Sequence, residues 1–249
     1  MTLLRSLLFQ LVFLLWTAGL GVVALPLLIA PRRIVMRFGT FWSCGSFALL
    51  KVFAGLGYEL RGRENLPQGP AIIAMKHQSA WDAFAAPILF DDPAVVIKRE
   101  LGWLPFYGWY AVKAGSITVD RGAGSRALKR MIAAAQRVKA EGRPIMIFPQ
   151  GTRSAVGEKK PYLPGVAALY RQLDLPLVPV AVNSGLFWRR RSLMRRPGTI
   201  LVEILPLIPP GLARDEMMRR LEAAIETATD RLVAEGRDPR RRRPWDPWG

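Results

Sequence analysis

From Ser6 through Pro31 the chain carries no charged residue, and the run is rich in Leu, Val and Phe. It exceeds the roughly 20 residues needed to cross a hydrocarbon core as a helix. A cleavable leader fits less well. The apolar region is too long, and no small-residue cleavage box precedes the Arg32–Arg33 pair. A second apolar stretch, Phe38 to Leu50, is too short to span by itself and is followed by Lys51. Two arrangements satisfy this pattern. Either the first helix spans and the second lies in the interface, or the two form a hairpin dipping into one leaflet. Arg32, Arg33, Arg37 and Lys51 are then expected at headgroup level on the cytoplasmic side.

The rest of the composition agrees with segregated surfaces. The 249 residues are 51% hydrophobic yet 22% charged, and 36 basic against 19 acidic residues leave a net charge of +17. Such a charge implies an anionic partner: nucleic acid, anionic lipid or a phosphorylated substrate. No recognisable nucleic-acid module occurs, and the arginines are spread along a lipid-associated chain, so anionic membrane lipids are expected and nucleic acid is not. Cys44 is the only cysteine, which excludes an intramolecular disulfide and a cysteine-based zinc site.

After Gly57 the texture changes to short apolar runs alternating with amphipathic segments. Strands are predicted at 58–61, 71–75, 94–97, 116–119, 145–148, 178–182 and 200–205. Helices are predicted at 81–89, 104–113, 125–140, 165–173 and 215–234. Gly142 and Pro144 end the third of these helices. This alternation predicts an α/β domain with a mostly parallel sheet flanked by helices, preceded by an apolar two-helix membrane motif. The organisation reads as membrane helices over 1–57, an α/β domain over 58–235, and a basic tail with Pro and Trp over 236–249. That division expects the α/β part to keep its fold without the first 57 residues if its newly exposed apolar patch does not aggregate it. The tail suits either solvent or an anionic membrane interface.

Chemistry concentrates at the chain's one histidine, His77, and at Asp82 five residues later. Imidazole titrates near neutrality, and a carboxylate can fix its tautomer and stabilise the imidazolium. The pair follows a predicted strand and opens a helix, which places it at the C-terminal edge of a sheet. Ser79 lies between them but not in a Gly-x-Ser-x-Gly elbow, so it reads as a turn or capping residue. A second block runs Phe148-Pro149-Gln150-Gly151-Thr152-Arg153-Ser154. Its glycine lets backbone approach a ligand, and Arg153 offers a planar fork that matches phosphate. A third block runs Gly115 to Gly122, where Arg121 is either a second phosphate contact or a partner of Asp120. A fourth is the strand Val178-Pro179-Val180-Ala181-Val182.

In this order the four blocks resemble the 1-acyl-glycerol-3-phosphate acyltransferase family, over roughly residues 58 to 210. The family pattern is His-x4-Asp, a Gly-x-Ile-x-x-x-Arg-like block, Phe-Pro-Glu-Gly-Thr-Arg-Ser, and a Val-Pro-Val-type strand. The chain departs from it at Lys76, often Asn in the family, and at Gln150, where Glu is usual. Gln150 keeps an acceptor and loses the charge, so a hydrogen bond from Arg153 is expected there.

The resemblance implies fatty acyl transfer from a thioester, acyl-CoA or acyl-carrier protein, to the sn-2 hydroxyl of lysophosphatidic acid. His77 and Asp82 are the implied catalytic pair. Arg121, Gln150, Gly151, Thr152 and Arg153 are the implied substrate-binding set. No metal or cofactor is expected beyond the thioester co-substrate. Another lyso-lipid, such as lyso-ornithine lipid, remains a possible acceptor. A lysophospholipase is a third reading. The implied location is the inner membrane, with the catalytic domain on its cytoplasmic face.

Overall fold

The computed structural model describes residues 2–238, so the basic tail beyond Asp238 lies outside the described residues. The N-terminal run forms α1 (Thr2–Val23), 22 residues with no acid and a single cation, Arg5. A 3-10 turn opened by Pro26 leads into α2 (Arg32–Ala54). Gly55, at φ +65, ends α2 in the left-handed region that glycine enters freely, and its amide bonds back to Lys51 O. Among the described residues, α1 alone is long and apolar enough to cross a membrane. The second helix is amphipathic and longer than its apolar stretch, so the expected pair of apolar helices becomes one apolar and one amphipathic helix. Arg32 forms a two-pronged ion pair with Asp92, at 2.6 and 2.8 Å, and ties α2 to the α/β part.

The α/β part follows the predicted order. It runs β1 (Leu56–Arg61), β2 (Ile72–Met75), α3 (Trp81–Leu89), β3 (Ala94–Lys98), α4 (Tyr107–Lys113) and β4 (Ile117–Val119). It continues with α5 (Gly124–Ala140), β5 (Ile145–Ile147), α6 (Pro164–Leu173), β6 (Leu177–Val182), β7 (Gly198–Ile204) and α7 (Arg214–Arg237). The seven strands align as β1-β7-β6-β2-β5-β3-β4. Every pair is parallel except β6 with β7. The fourth helix starts at Tyr107 rather than 104, because Pro105 interrupts the run and Phe106 sits at φ 62.

Period-2 alternation of the central strands fills two cores. Ile73, Met75, Met146, Val178, Val180 and Val182 face a layer made by α1, α2 and α3, with Phe9, Phe47, Leu50 and Trp81 buried in it. Ile72, Ala74, Ile145, Ile147 and Leu177 face α5, α6 and α7. The N-terminal helices therefore supply one of the two helical layers. Trp81 at the start of α3 stacks on Phe47 of α2, with ring centroids 5.1 Å apart. That contact sets the position of the helix carrying Asp82.

Along its whole length α1 is fastened to the folded body. Near its start, Arg5 Nε donates to Phe53 O at 2.9 Å and Ser6 Oγ accepts from the Arg195 amide at 2.9 Å. Near its end, the Tyr110 hydroxyl donates to Gly21 O at 2.8 Å. Between these points Trp42 Nε1 donates to Thr17 Oγ1, and Phe13 packs on Phe84. The other side of α1 exposes Leu4, Leu11 and Leu15.

Candidate active site

β2 lies at the centre of the sheet between β5 and β6. The segments that leave its C-terminal end and that of β5 meet there. His77 follows β2 directly, and its Nδ1 lies 2.9 Å from Asp82 Oδ2. The same oxygen accepts from the Gln78 and Ser79 amides at 2.7 and 2.8 Å. Asp82 is fully buried, whereas the His77 side chain keeps 15% exposure. Because a carboxylate only accepts, this contact places a proton on Nδ1 and leaves Nε2 with a free lone pair. Phe148 stacks on the imidazole with centroids 3.9 Å apart, which fixes the ring plane. Ser79 Oγ accepts from the Trp81 amide at 2.9 Å, the turn role its sequence context predicts.

The segment around His77 is held from three sides. The Ser154 amide donates to His77 O at 2.8 Å. Gln78 Oε1 accepts from the Gly185 amide at 3.0 Å. Lys76, buried to 1% exposure, extends its ammonium to both Glu226 oxygens on α7, and the Tyr162 hydroxyl donates to Glu226 Oε1 at 2.9 Å. Sequence reasoning missed this buried triad. The one available signal was a lysine ending the apolar run Ala71–Met75.

After β5 the chain turns at Gly151, where φ is +66. A side chain there would strike Leu163 Cδ1 at 2.4 Å and would approach the Arg121 guanidinium carbon to 3.6 Å. The turn therefore brings Arg121 from the edge of the sheet to the Gly151 backbone. Asp120 does not pair with Arg121: it binds Arg99 at 2.8 Å and accepts from the Gly122 amide. Gln150 departs from expectation. It is buried, its Oε1 accepts from Ser154 Oγ at 3.1 Å, and its Nε2 donates to Lys160 O at 3.3 Å. It braces its own loop instead of receiving Arg153. Thr152 sits half-buried beside Arg153 on the same turn.

Arg153 is also half-buried. Desolvation lowers its pKa, as do the nearby Arg190 and Arg191, while Asp82 acts the other way. Desolvation likewise lowers that of Arg121, against the attraction of Glu100. Two partly desolvated guanidiniums near a turn of open backbone form a place where an anion restores the missing charge balance. An apolar cavity of about 110 Å³ lies between α1, α2, α3 and α4, lined by Trp42, Phe84, Pro87, Ile97, Tyr107 and Tyr110 among others. Ala83 and Phe84 of this wall directly follow Asp82 on α3.

The site thus combines a carboxylate-oriented imidazole with two partly desolvated guanidiniums at the Gly151 turn, and an apolar cavity borders the helix that carries Asp82. Comparison with known proteins gives this arrangement a family. A profile described as Acyltransferase matches residues 57–183, and the chain belongs to that family. Within the family it groups with the 1-acyl-sn-glycerol-3-phosphate acyltransferases. It is 36% identical over 204 residues to that enzyme of Pseudomonas aeruginosa, covering 79% of each chain. Against the alpha enzyme of Homo sapiens it is 27% identical over 229 residues, covering 89% of this chain and 80% of the human one. The crystal structure of the 1-acyl-sn-glycerophosphate (LPA) acyltransferase of Thermotoga maritima superposes with a TM-score of 0.74. That match covers 94% of this chain and 95% of that one at 21% identity, and it speaks for the fold.

Proposed function

We propose that this chain moves a fatty acyl group from acyl-CoA or acyl-carrier protein to the sn-2 hydroxyl of 1-acyl-glycerol-3-phosphate, giving phosphatidic acid. The observation that carries the reading is the His77–Asp82 contact at 2.9 Å, with Asp82 buried and fixed by two backbone amides. His77 Nε2 takes the hydroxyl proton as the oxygen attacks the thioester carbonyl. Asp82 stabilises the imidazolium that forms. Collapse of the tetrahedral intermediate breaks the C–S bond and expels the thiolate, which takes the hydroxyl's proton from His77 and leaves as the thiol. A thioester is a reactive donor, so one oriented base and correct positioning suffice.

In this reading Arg153 and Arg121 take the acceptor phosphate, with the Gly151 turn giving backbone approach and Thr152 a hydroxyl. Gln150 serves by keeping that turn in shape. The apolar cavity between α1, α2, α3 and α4 takes an acyl chain, which keeps the lipid out of water. The α/β part stands on the membrane through α1. A helix of 22 residues is about 33 Å long, enough to span. The contacts at Arg5, Ser6, Thr17 and Gly21 nonetheless hold it flat against the body from end to end. We read α1 as lying in one leaflet, with Leu4, Leu11 and Leu15 toward lipid, on the cytoplasmic side of the inner membrane.

The test is acyl transfer by purified protein with labelled acyl-CoA and acyl-carrier protein against lysophosphatidic acid, lyso-ornithine lipid and other lyso-lipids. Phosphatidic acid as the dominant product is expected. Preferred acylation of an acceptor without a phosphate would overturn the headgroup assignment. Release of free fatty acid in place of a lipid product would overturn acyl transfer itself.

A further inference from the structure

Between β6 and β7 the chain throws out a lobe that the catalytic reading leaves unused. Residues 189–196 read Arg-Arg-Arg-Ser-Leu-Met-Arg-Arg, five arginines without an acid, and the next acidic residue is Glu203. The lobe is a built hairpin. Trp188 and Arg195 bridge its base, and Arg196 N donates to Phe187 O at 2.9 Å. Arg195 is buried, its guanidinium carbon 4.1 Å from the centroid of the Trp188 ring, and it donates to Ser192 O and to Gln10 Oε1 on α1. At the tip, Leu193 and Met194 stand 60% and 39% exposed. Arg189, Arg190, Arg191 and Arg196 are all exposed, and among the described residues none of their guanidiniums forms a hydrogen bond or an ion pair.

Position decides what such a lobe can meet. One root lies beside the catalytic segment, where the Gly185 amide is bound by Gln78 Oε1. The other root lies on α1, through the Arg195 amide on Ser6 Oγ and through Phe9 against Trp188. The lobe thus bridges the mouth of the site and the helix with the exposed leucine face. Arg190 and Arg191 are close enough to Arg153 to lower its pKa by repulsion. Four unpaired arginines around two exposed apolar side chains match a bilayer surface with anionic headgroups above an acyl boundary.

We propose that residues 189–196 form a second, charge-selective membrane contact that seats the mouth of the active site on anionic lipid. The proposal rests on the reading of α1 as membrane-embedded and goes beyond it by assigning a separate contact to a separate element. Arg189, Arg190, Arg191 and Arg196 engage lipid phosphates while Leu193 and Met194 enter the acyl boundary. An arriving phosphorylated acceptor is then drawn along a row of cations toward Arg153.

The experiment uses the full chain with Cys44→Ser as background and single cysteines carrying an environment-sensitive fluorophore. Leu193→Cys reports the lobe, Leu11→Cys reports α1, and Arg130→Cys on the opposite helical layer serves as the water-exposed control. Vesicles contain phosphatidylglycerol with phosphatidylcholine, or phosphatidylcholine alone. The lobe probe is expected to shift to the blue and to be quenched by lipid-borne quencher on the anionic vesicles. The shift should be smaller on the neutral ones. Arg189→Gln and Arg196→Gln should each lower the lobe's partition constant onto anionic vesicles about fivefold at low salt. Leu193→Glu with Met194→Glu should raise the apparent KM for vesicle-borne acceptor several-fold while leaving turnover of a short, soluble acceptor unchanged. A lobe probe that stays in water while the α1 probe is embedded overturns this proposal and leaves the membrane reading of α1 standing. If both probes stay in water, both fail. Equal embedding on neutral vesicles removes the charge selectivity and with it the proposal. A probe that responds to acyl-carrier protein in detergent but not to vesicles makes the lobe a protein-docking surface, which also overturns it.

Discussion

The ammonium of Lys76 lies 2.6 and 2.7 Å from the two carboxylate oxygens of Glu226, which joins the residue before His77 to the last helix of the fold. Both side chains are buried, and the Tyr162 hydroxyl completes the cluster. Burial, aided by the Glu226 charge, drives the Tyr162 phenol far above its usual range, so it remains a neutral donor. A buried ion pair seldom stabilises a protein more than a packed apolar pair, since desolvating both charges offsets their attraction. What it supplies is a directed tie. Here the tie fixes the end of β2 where the chain turns toward Asp82.

Breaking that tie from one side leaves an uncompensated buried charge. Lys76→Met alone should destabilise the fold by about 3–5 kcal/mol. The triple variant Lys76→Met, Tyr162→Phe, Glu226→Leu should recover most of that loss. Chemical unfolding in a mild detergent measures both. Equal stability of the single variant and the wild type would mean that Glu226 is neutralised by protonation or solvent, and the directed tie would not exist.

His77→Ala should lower turnover by about two to four orders of magnitude with little effect on the unfolding transition, the scale expected for loss of a general base. The chain has no second histidine to replace it. Asp82→Asn should also be severe, for two reasons visible in the structure. The amide loses the charge that supports the imidazolium, and the one oxygen that accepts from His77, Gln78 and Ser79 becomes a neutral and weaker acceptor, with a buried NH₂ left without a partner beside it. Steady-state rates beside circular dichroism separate lost chemistry from lost fold.

Much of this fold was legible in the chain. Seven strands and five helices of the α/β part lie within about three residues of where alternation, helical spacing and the Gly142–Pro144 stop place them, because local pattern and burial agree there. The His77–Asp82 contact was legible too, since a strand-to-helix turn allows a five-residue spacing to close. Side chains whose partners are distant in sequence were not. Glu226 lies 150 residues from Lys76 and looks like one more charge on an amphipathic helix. Arg195 reads as one of five arginines in a surface run, yet it is buried beneath Trp188. Gln150 was expected to accept from Arg153 because it keeps an acceptor where the family has Glu, but the Ser154 hydroxyl and the Lys160 carbonyl take its amide.

Arg153→Ala should chiefly raise the KM for the phosphorylated acceptor, with a smaller change for the thioester donor. Arg153→Lys should rescue only part of the loss, because an ammonium cannot reproduce the planar fork. Initial rates with acceptors bearing and lacking a phosphate distinguish the cases. Equal losses on both acceptors would assign Arg153 to the donor or to the loop.

Gly151→Ala tests the turn itself. At φ +66 an alanine costs about 1 kcal/mol, and its Cβ would meet Leu163 Cδ1 at 2.4 Å. Leu163 is exposed and can give way, so the fold should survive while acceptor kcat/KM falls. Adding Leu163→Ala should restore part of the activity by removing the clash and leaving only the backbone strain. No effect from Gly151→Ala would show that backbone approach at this turn is not used.

Removing residues 1–57 tests what the N-terminal helices contribute. The sequence alone expects the remaining α/β part to keep its fold if its newly exposed apolar patch does not aggregate it. The structure argues the opposite, because Phe9, Phe47, Leu50 and Ala54 are buried against the central strands and Leu56 opens β1. Deletion strips one helical layer from the sheet, unseats the helix bearing Asp82 and removes the α1 and α2 walls of the apolar cavity. Each large buried side chain lost costs about 2–5 kcal/mol, which together exceeds the stability of an ordinary domain. The fragment should therefore aggregate or lack a cooperative unfolding transition even in detergent. The full chain should stay on vesicles at high salt, since α1 holds by apolar burial, which salt does not screen. A soluble, cooperatively folded fragment that still acylates a short acceptor would show that the two helices serve membrane access alone.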